Sequence, residues 1–152
     1  MERKTTSERK HSLRLKITHP TTTIRQTQYI PAPPGELYDA YLNPKTHSSF
    51  TGAATVCERF VGGKFSAWNG YITGKNVRLE NGRRIIQEWQ TTEWPAGYAP
   101  SVLEIIFRPK GKGTEIQMIQ KNVPVSQARY YERGWMDFYW DPLKKFFRKS
   151  LK

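Results

Sequence analysis

Ala128-Arg-Tyr-Tyr-Glu-Arg-Gly-Trp-Met-Asp-Phe-Tyr-Trp-Asp-Pro-Leu-Lys-Lys-Phe-Phe147 is the stretch that decides how this chain folds. Apolar residues fall at Tyr131, Trp135, Phe138, Tyr139, Leu143, Phe146 and Phe147. That is the three-to-four-residue recurrence of one face of an α-helix. Glu132, Arg133, Asp137, Lys144 and Lys145 fill the complementary positions. Ser126 stands where an N-cap belongs. Pro142 interrupts the pattern and predicts a kink, at a cost of about 3 kcal/mol if nothing compensates. A helix this aromatic must lie on a large apolar surface.

The rest of the chain supplies that surface as strands. Ile24-Arg-Gln-Thr-Gln-Tyr-Ile30 alternates and reads as the first. After Pro31-Ala-Pro-Pro34, the run Gly35–Leu42 reads as a helix with Leu37, Tyr38, Tyr41 and Leu42 on one side. A second short helix is expected from Lys45 to about Phe50. Strands follow at Ala54–Phe60, Lys64–Trp68, Tyr71–Leu79, Arg84–Thr92, Ser101–Arg108 and Thr114–Lys121. Asn69-Gly70 is a strong hairpin signal between two of them. On Arg84–Thr92, Ile85, Gln87 and Trp89 share one face. The fold class is α+β. A curved antiparallel sheet carries two short N-terminal helices, and one long C-terminal helix lies across its concave face.

At 152 residues the chain is one domain, expected over 23–152 behind a polar, disordered tail over 1–22. Leu13, Leu15 and Ile17 alternate with polar residues and predict a short strand inside that tail. Formal net charge is +12, and it is uneven: +4 over 1–22, +5 over 143–152, and only +3 over the long middle. Basic ends suit an acidic protein, nucleic acid or anionic lipid. They equally suit solvated termini that keep a protein dispersed.

Most catalytic and metal chemistries find little support. His11, His19 and His47 are far apart, and Cys57 has no partner at ligand spacing, so neither a metal site nor a cofactor is expected. Cys57 sits in a strand pattern and reads as a small buried apolar residue. Glu88 and Glu104 on strands, with Asp137 and Asp141 at i and i+4 on the last helix, are the acid–base candidates. The face opposite the aromatic stripe holds the two aspartates, which predicts exposure. No RNA-recognition or helix-turn-helix signature occurs, so no specific nucleic-acid partner is expected. No apolar run approaches the ~20 residues of a membrane span. The expectation is a soluble, cytoplasmic protein with one unpaired cysteine in a reducing compartment.

The element order is that of the helix-grip fold of START-like proteins. From Ile24 to Phe147 the chain resembles the C-terminal domain of the Aha-type activators of the 90-kDa heat-shock chaperone ATPase. Glu36-Leu-Tyr38, Gly62-Gly-Lys-Phe65 with Asn69-Gly-Tyr-Ile-Thr-Gly74, Trp89 with Trp94-Pro-Ala-Gly97, and Gly134-Trp135 with Phe138-Tyr-Trp140 and Leu143-Lys144 carry the resemblance. Those activators hold a separate N-terminal domain that does most of the ATPase stimulation. The 22 residues preceding the domain here are too few to form it. The resemblance therefore implies a non-catalytic, stress-related co-chaperone module with an ATP-dependent heat-shock chaperone as partner.

Two site expectations follow. Trp68, Tyr71, Trp89, Phe107, Met118, Trp135 and Tyr139 are candidates to line a sheet–helix cavity for a small hydrophobic ligand. The same side chains serve equally to fill a dense core. Trp94 and Tyr98, on a loop that looks exposed, and Lys144, Lys145, Arg148 and Lys149 at the helix end are candidates for protein docking. A packed interior favours docking. An open pocket favours a ligand, and some START-like relatives are enzymes.

Overall fold

The computed structural model describes residues 19–150, with side chains through Arg148. Of the tail expected over 1–22, residues 1–18 with the short Leu13–Ile17 strand lie outside the described residues, as does the Lys149 side chain, whereas Thr21 and Thr22, expected in that tail, pair with Pro124 and Val123 at the start of the first strand. Strand β1 (Thr21–Ile30) leads into helices α1 (Pro34–Leu42) and α2 (Pro44–Thr51). Pro34 and Pro44 each open a helix, where a missing N–H costs nothing. Asn43 Oδ1 caps α2 by accepting from the Lys45 N–H at 3.0 Å. Strands β2 (Val56–Cys57), β3 (Lys64–Ala67), β4 (Ile72–Glu80), β5 (Arg84–Thr91), β6 (Ser101–Lys110) and β7 (Gly113–Pro124) follow. They form one antiparallel seven-stranded sheet in the order β1-β7-β6-β5-β4-β3-β2. The first strand pairs with the last, Ile24 opposite Gln120.

Alternation along β5, β6 and β7 points Ile85, Gln87, Trp89, Leu103, Ile105, Phe107, Ile116 and Met118 to the buried concave face. Gly74 helps the sheet curve: a Cβ there would run into the Glu88 carbonyl and the Phe65 ring. The strand expected over Ala54–Phe60 is only Val56–Cys57. Beyond it the backbone turns through Glu58–Gly63, and Gly62 N–H hooks onto the Asn76 carbonyl at 2.7 Å.

The C-terminal helix departs from its expected form. Ser126 is not a cap; it sits in a 3-10 turn, Val125–Gln127, with no side-chain capping bond. α3 (Ala128–Trp135) then passes through a π-helical turn, Met136–Trp140, into α4 (Asp141–Ser150). Pro142 follows that turn after one residue, Asp141. The wider π spacing removes the clash between a proline ring and the carbonyl four residues back, so the helix continues. It also rotates the buried face. In an unbroken α-helix Phe138 would share a side with Tyr131 and Trp135, and Trp140 would point away. Instead Phe138 is 49% exposed and Trp140 is 1% exposed. The expectation that Phe138 faces the sheet is corrected by this one inserted residue.

The helix is tied to β1 by two glutamines from the strand's inward face. Trp140 Nε1 donates to Gln26 Oε1 at 2.6 Å, and Lys144 Nζ donates to Gln28 Oε1 at 2.6 Å. Trp135 Nε1 donates to Gln120 Oε1 at 2.9 Å; Gln120 in turn bonds the Ser101 hydroxyl, which bonds the Trp89 carbonyl. Such buried polar chains fix the register of helix on sheet because each group left unpaired would cost about 1–3 kcal/mol.

Candidate functional site: an aromatic cavity under the C-terminal helix

A cavity of about 320 Å³ lies between the C-terminal helix and the β3–β5 end of the sheet. Eight of its ten lining residues are aromatic and none is charged, so its walls suit a flat apolar occupant. The helix contributes Tyr130, Tyr131, Gly134, Trp135, Phe138 and Tyr139; the sheet side contributes Trp68, Tyr71, Ile72 and Trp89.

Local backbone explains several of these placements. Trp68, Asn69 and Gly70 all have positive φ, at 55°, 58° and 88°. That is ordinary for Asn-Gly and strained for a tryptophan. The strain is held by an edge-on contact of Trp68 with Phe138, ring centroids 5.3 Å apart. Phe138 reaches that position only because the π turn has swung it outward. Tyr130, Gly134 and Phe138 recur every four residues along one side of the helix. Tyr130 is 60% exposed, and these three form the mouth. Gly134 leaves the gap between the two rings.

A glycine inside a helix costs about 1 kcal/mol against alanine. A Cβ at Gly134 would meet only Phe138 Cδ2, at an ordinary 3.8 Å. Gly134→Ala is therefore expected to stabilise the protein by about 0.5–1 kcal/mol in denaturant titration. A destabilised variant would mean that this backbone cannot tolerate even one added methyl.

The polar groups near the cavity fall into two sets. The Tyr131 hydroxyl donates to Gln127 Oε1 and pairs with the Thr91 hydroxyl, both at 2.7 Å. Tyr139 Oη pairs with His47 Nε2 at 3.0 Å. The Tyr71 hydroxyl and the Trp89 Nε1–H, by contrast, are buried without a hydrogen-bond partner. Burial raises the Tyr71 hydroxyl's pKa, opposed by the nearby Thr91 hydroxyl, so it stays a neutral O–H.

Of the seven residues expected to line a cavity, Trp68, Tyr71, Trp89, Trp135 and Tyr139 surround this one. Phe107 and Met118 do not. Phe107 packs edge-on against Tyr38 of α1, and Met118 is fully buried in the sheet core. Ile72, Tyr130, Tyr131, Gly134 and Phe138 are lining residues that the sequence reading missed in this role, although the four-residue spacing of Tyr130, Gly134 and Phe138 was visible.

The docking candidates are scattered. Trp94 and Tyr98 are half-buried rather than exposed. Trp94 packs edge-on against Trp89 and donates to the Ala99 carbonyl at 2.9 Å; Tyr98 lies on His19 and donates to the Pro20 carbonyl at 3.2 Å. Lys144 is engaged with Gln28, whereas Lys145 and Arg148 are exposed.

The acid–base candidates stay outside the cavity. Glu88 pairs with Lys75 at 3.7 Å and Glu104 with Arg84 at 3.3 Å on the sheet's other face. Asp137 pairs with Arg133 at 3.5 Å, and both Asp137 and Asp141 are exposed. Cys57 is half-buried, and burial raises its thiol pKa. Among the described residues no His, Cys, Asp and Glu group is placed to hold a metal ion, and no helix is long and apolar enough to cross a membrane.

The seven-stranded sheet gripped by an aromatic helix can now be set beside known proteins. A family model described as activator of Hsp90 ATPase homolog 1-like protein matches residues 31–148. The chain belongs to this family. A member named activator of 90 kDa heat shock protein ATPase homolog, from Dictyostelium discoideum, is 32% identical over 135 residues, which is 88% of this chain and 35% of that protein. The human activator of 90 kDa heat shock protein ATPase homolog 1 is 27% identical over 128 residues, 84% of this chain and 38% of its own length. The chain thus spans little more than a third of these curated relatives. The crystal structure of an HSP90 activator from Plasmodium falciparum superposes with a TM-score of 0.76 at 20% identity, covering 82% of this chain and 95% of that one. At that identity the likeness is one of fold, and the activator-homologue family and the helix-grip architecture agree.

Proposed function

We propose that this domain is a non-catalytic, chaperone-associated interaction module of the activator type. The observation that supports it is the match of nearly the whole described domain to a family named for activators of the Hsp90 ATPase. The partner surface is acidic and meets the exposed basic end of the C-terminal helix. Lys145 and Arg148 make no ion pair among the described residues, and residues 143–152 hold five basic groups and no acid. Surface charge pairs weaken as salt rises.

Lys145→Glu with Arg148→Glu is therefore expected to weaken binding to the host's 90-kDa chaperone several-fold at low salt, with the melting temperature unchanged. Calorimetry at low and high ionic strength reads it. Lys144 is left out of the reversal because it holds Gln28 and its loss would disturb the fold. Affinity indifferent to both salt and charge reversal would move the contact to another surface.

A second reading is favoured by the cavity itself: the domain holds a small apolar molecule under its helix. About 320 Å³ of aromatic-walled space lies in the range of small-molecule sites and is much larger than ordinary packing defects. Native mass spectrometry of the purified protein tests it through a co-purifying mass, which Gly134→Leu, filling the mouth, is expected to remove.

A further inference from the structure

We infer that the mouth of the aromatic cavity docks a segment of this same chain, Leu13-Arg-Leu-Lys-Ile17, laid in extended form along the C-terminal helix with its three aliphatic side chains inward. The occupant is the chain's own N-terminal stretch, and the contact does not depend on whether a small molecule is held beneath it.

The first support is an uncovered apolar surface. Tyr130 is 60% exposed and Phe138 is 49% exposed, one on either side of Gly134, and all three line the cavity. Large rings left open beside an apolar cavity gain free energy from any apolar group that covers them. The second is where the chain comes in. The Pro20 carbonyl accepts from the Val125 N–H at 3.1 Å and from the Tyr98 hydroxyl at 3.2 Å, so the chain arrives at the start of the C-terminal helix. His19 then turns onto the Tyr98 ring, 4.9 Å between centroids. Trp94 of the same loop packs on Trp89 and Tyr131, both cavity-lining, at 6.1 and 5.8 Å. Extended chain reaches about 7 Å from His19 at Ile17 and about 20 Å at Leu13, enough to cross the mouth.

The third is a match of spacing. Ile17, Leu15 and Leu13 recur every second residue, which puts them about 6.7 Å apart on one side of an extended chain. Tyr130, Gly134 and Phe138 recur every fourth residue, which puts them about 6 Å apart along a helix. With Ile17 against Tyr130, Leu15 falls over Gly134 and Leu13 against Phe138. Gly134 leaves room there: a Cβ on it would meet nothing nearer than Phe138 Cδ2. The same alternation turns Arg14 and Lys16 to the rim. Glu93 is exposed at that rim and makes no ion pair among the described residues. Burial chiefly, and the Glu93 carboxylate more weakly, raise the pKa values of the Tyr71 and Tyr131 hydroxyls, which places that carboxylate beside the cavity. A segment carrying two cations between three aliphatic groups complements both the rings and this charge.

A spin label reads the contact in the full chain. Cys57→Ser removes the single native thiol, and Ser12→Cys carries a nitroxide next to Leu13. In the NMR spectrum the amides of Gly134 and Phe138 are expected to broaden strongly, and those of Thr27 and Gln117, paired on the outer face of the sheet, to stay sharp. Leu13→Ser with Leu15→Ser and Ile17→Ser, made in the same labelled chain, keeps the charge and removes the apolar groups. It is expected to lower the broadening at Gly134 and Phe138 severalfold, with the rest of the amide spectrum unchanged. A segment that is only tethered at His19 would visit the mouth equally in both chains, so equal broadening overturns the inference. Broadening centred on the outer sheet face, or none at Gly134 and Phe138, overturns it as well. None of these results touches the ligand reading, which the co-purifying mass decides separately.

Discussion

Trp135→Ala is expected to destabilise the protein by roughly 3–5 kcal/mol, the range for truncating a large buried aromatic. Trp135 is buried at the centre of the helix–sheet contact. Its ring lies 4.7 Å from that of Tyr139, 5.3 Å from Trp140 in a stacked pair, and 6.0 Å from Trp89. Its indole N–H also ends the polar chain through Gln120 and Ser101. Truncation therefore removes apolar burial and strands the Gln120 Oε1 in the core. Trp135→Phe separates the two effects: it keeps most of the ring and loses the donor, with an expected cost of about 1–3 kcal/mol. Denaturant titration at constant slope measures both. A loss under about 1 kcal/mol for the alanine variant would show that the helix does not cover the core.

The second large effect is acid sensitivity from His47. The ring is buried among Tyr41, Phe50 and Tyr139, with centroids 5.0–5.4 Å away. Its Nδ1 lies 2.8 Å from the Tyr41 carbonyl, which only accepts, so Nδ1 carries the hydrogen. Nε2 then accepts from the Tyr139 hydroxyl. This neutral tautomer satisfies both nitrogens, and a second proton would have to enter at the bond to Tyr139. Burial lowers the pKa from 6.5 to about 4, against a smaller opposing effect of the Tyr41 bond.

The folded pKa is below the unfolded one, so the unfolded chain takes up the proton first as pH falls. The stabilisation is fully present above about pH 6.5 and is lost progressively towards about pH 4. The total is about 3 kcal/mol, at up to about 1.4 kcal/mol per pH unit. His47→Gln removes the titrating group. The stability difference between wild type and variant should therefore shrink by about that amount across this window. A difference that does not change with pH would mean His47 is already charged or already solvated in the fold.

Much of this architecture is legible from local pattern. The two-residue alternation of Arg84–Thr92 puts Ile85, Gln87 and Trp89 inward, and they are inward. Pro34 and Pro44 stand where helices start, and Asn69-Gly70 stands in the turn before β4. Period and turn chemistry are short-range properties, and single residues reveal them. Part of the site is less legible. Trp68, Tyr71 and Trp89 are readable as large aromatics near one another. Whether they enclose space or fill it is a matter of packing, and no spacing rule reports a void. Phe107 and Met118 have the same inward parity as Trp89 yet lie in dense core, because α1 covers Phe107 through Tyr38.

By itself the sequence determined the α+β class, the order of strands and helices, the basic ends and the family resemblance. All are encoded in periodicity, turn residues and motifs along the chain. Only the tertiary structure decided which side of the C-terminal helix is buried. One extra residue in a π turn, next to Pro142, carries Trp140 inward onto Gln26 and Phe138 outward onto Trp68. Backbone spacing at that turn depends on what the helix packs against. The same local sequence in an unbroken helix would put Phe138 on the side of Tyr131 and Trp135. The burial of His47 among Tyr41, Phe50 and Tyr139 is likewise a matter of packing, since burial belongs to the contacts a residue makes and not to its place in the chain.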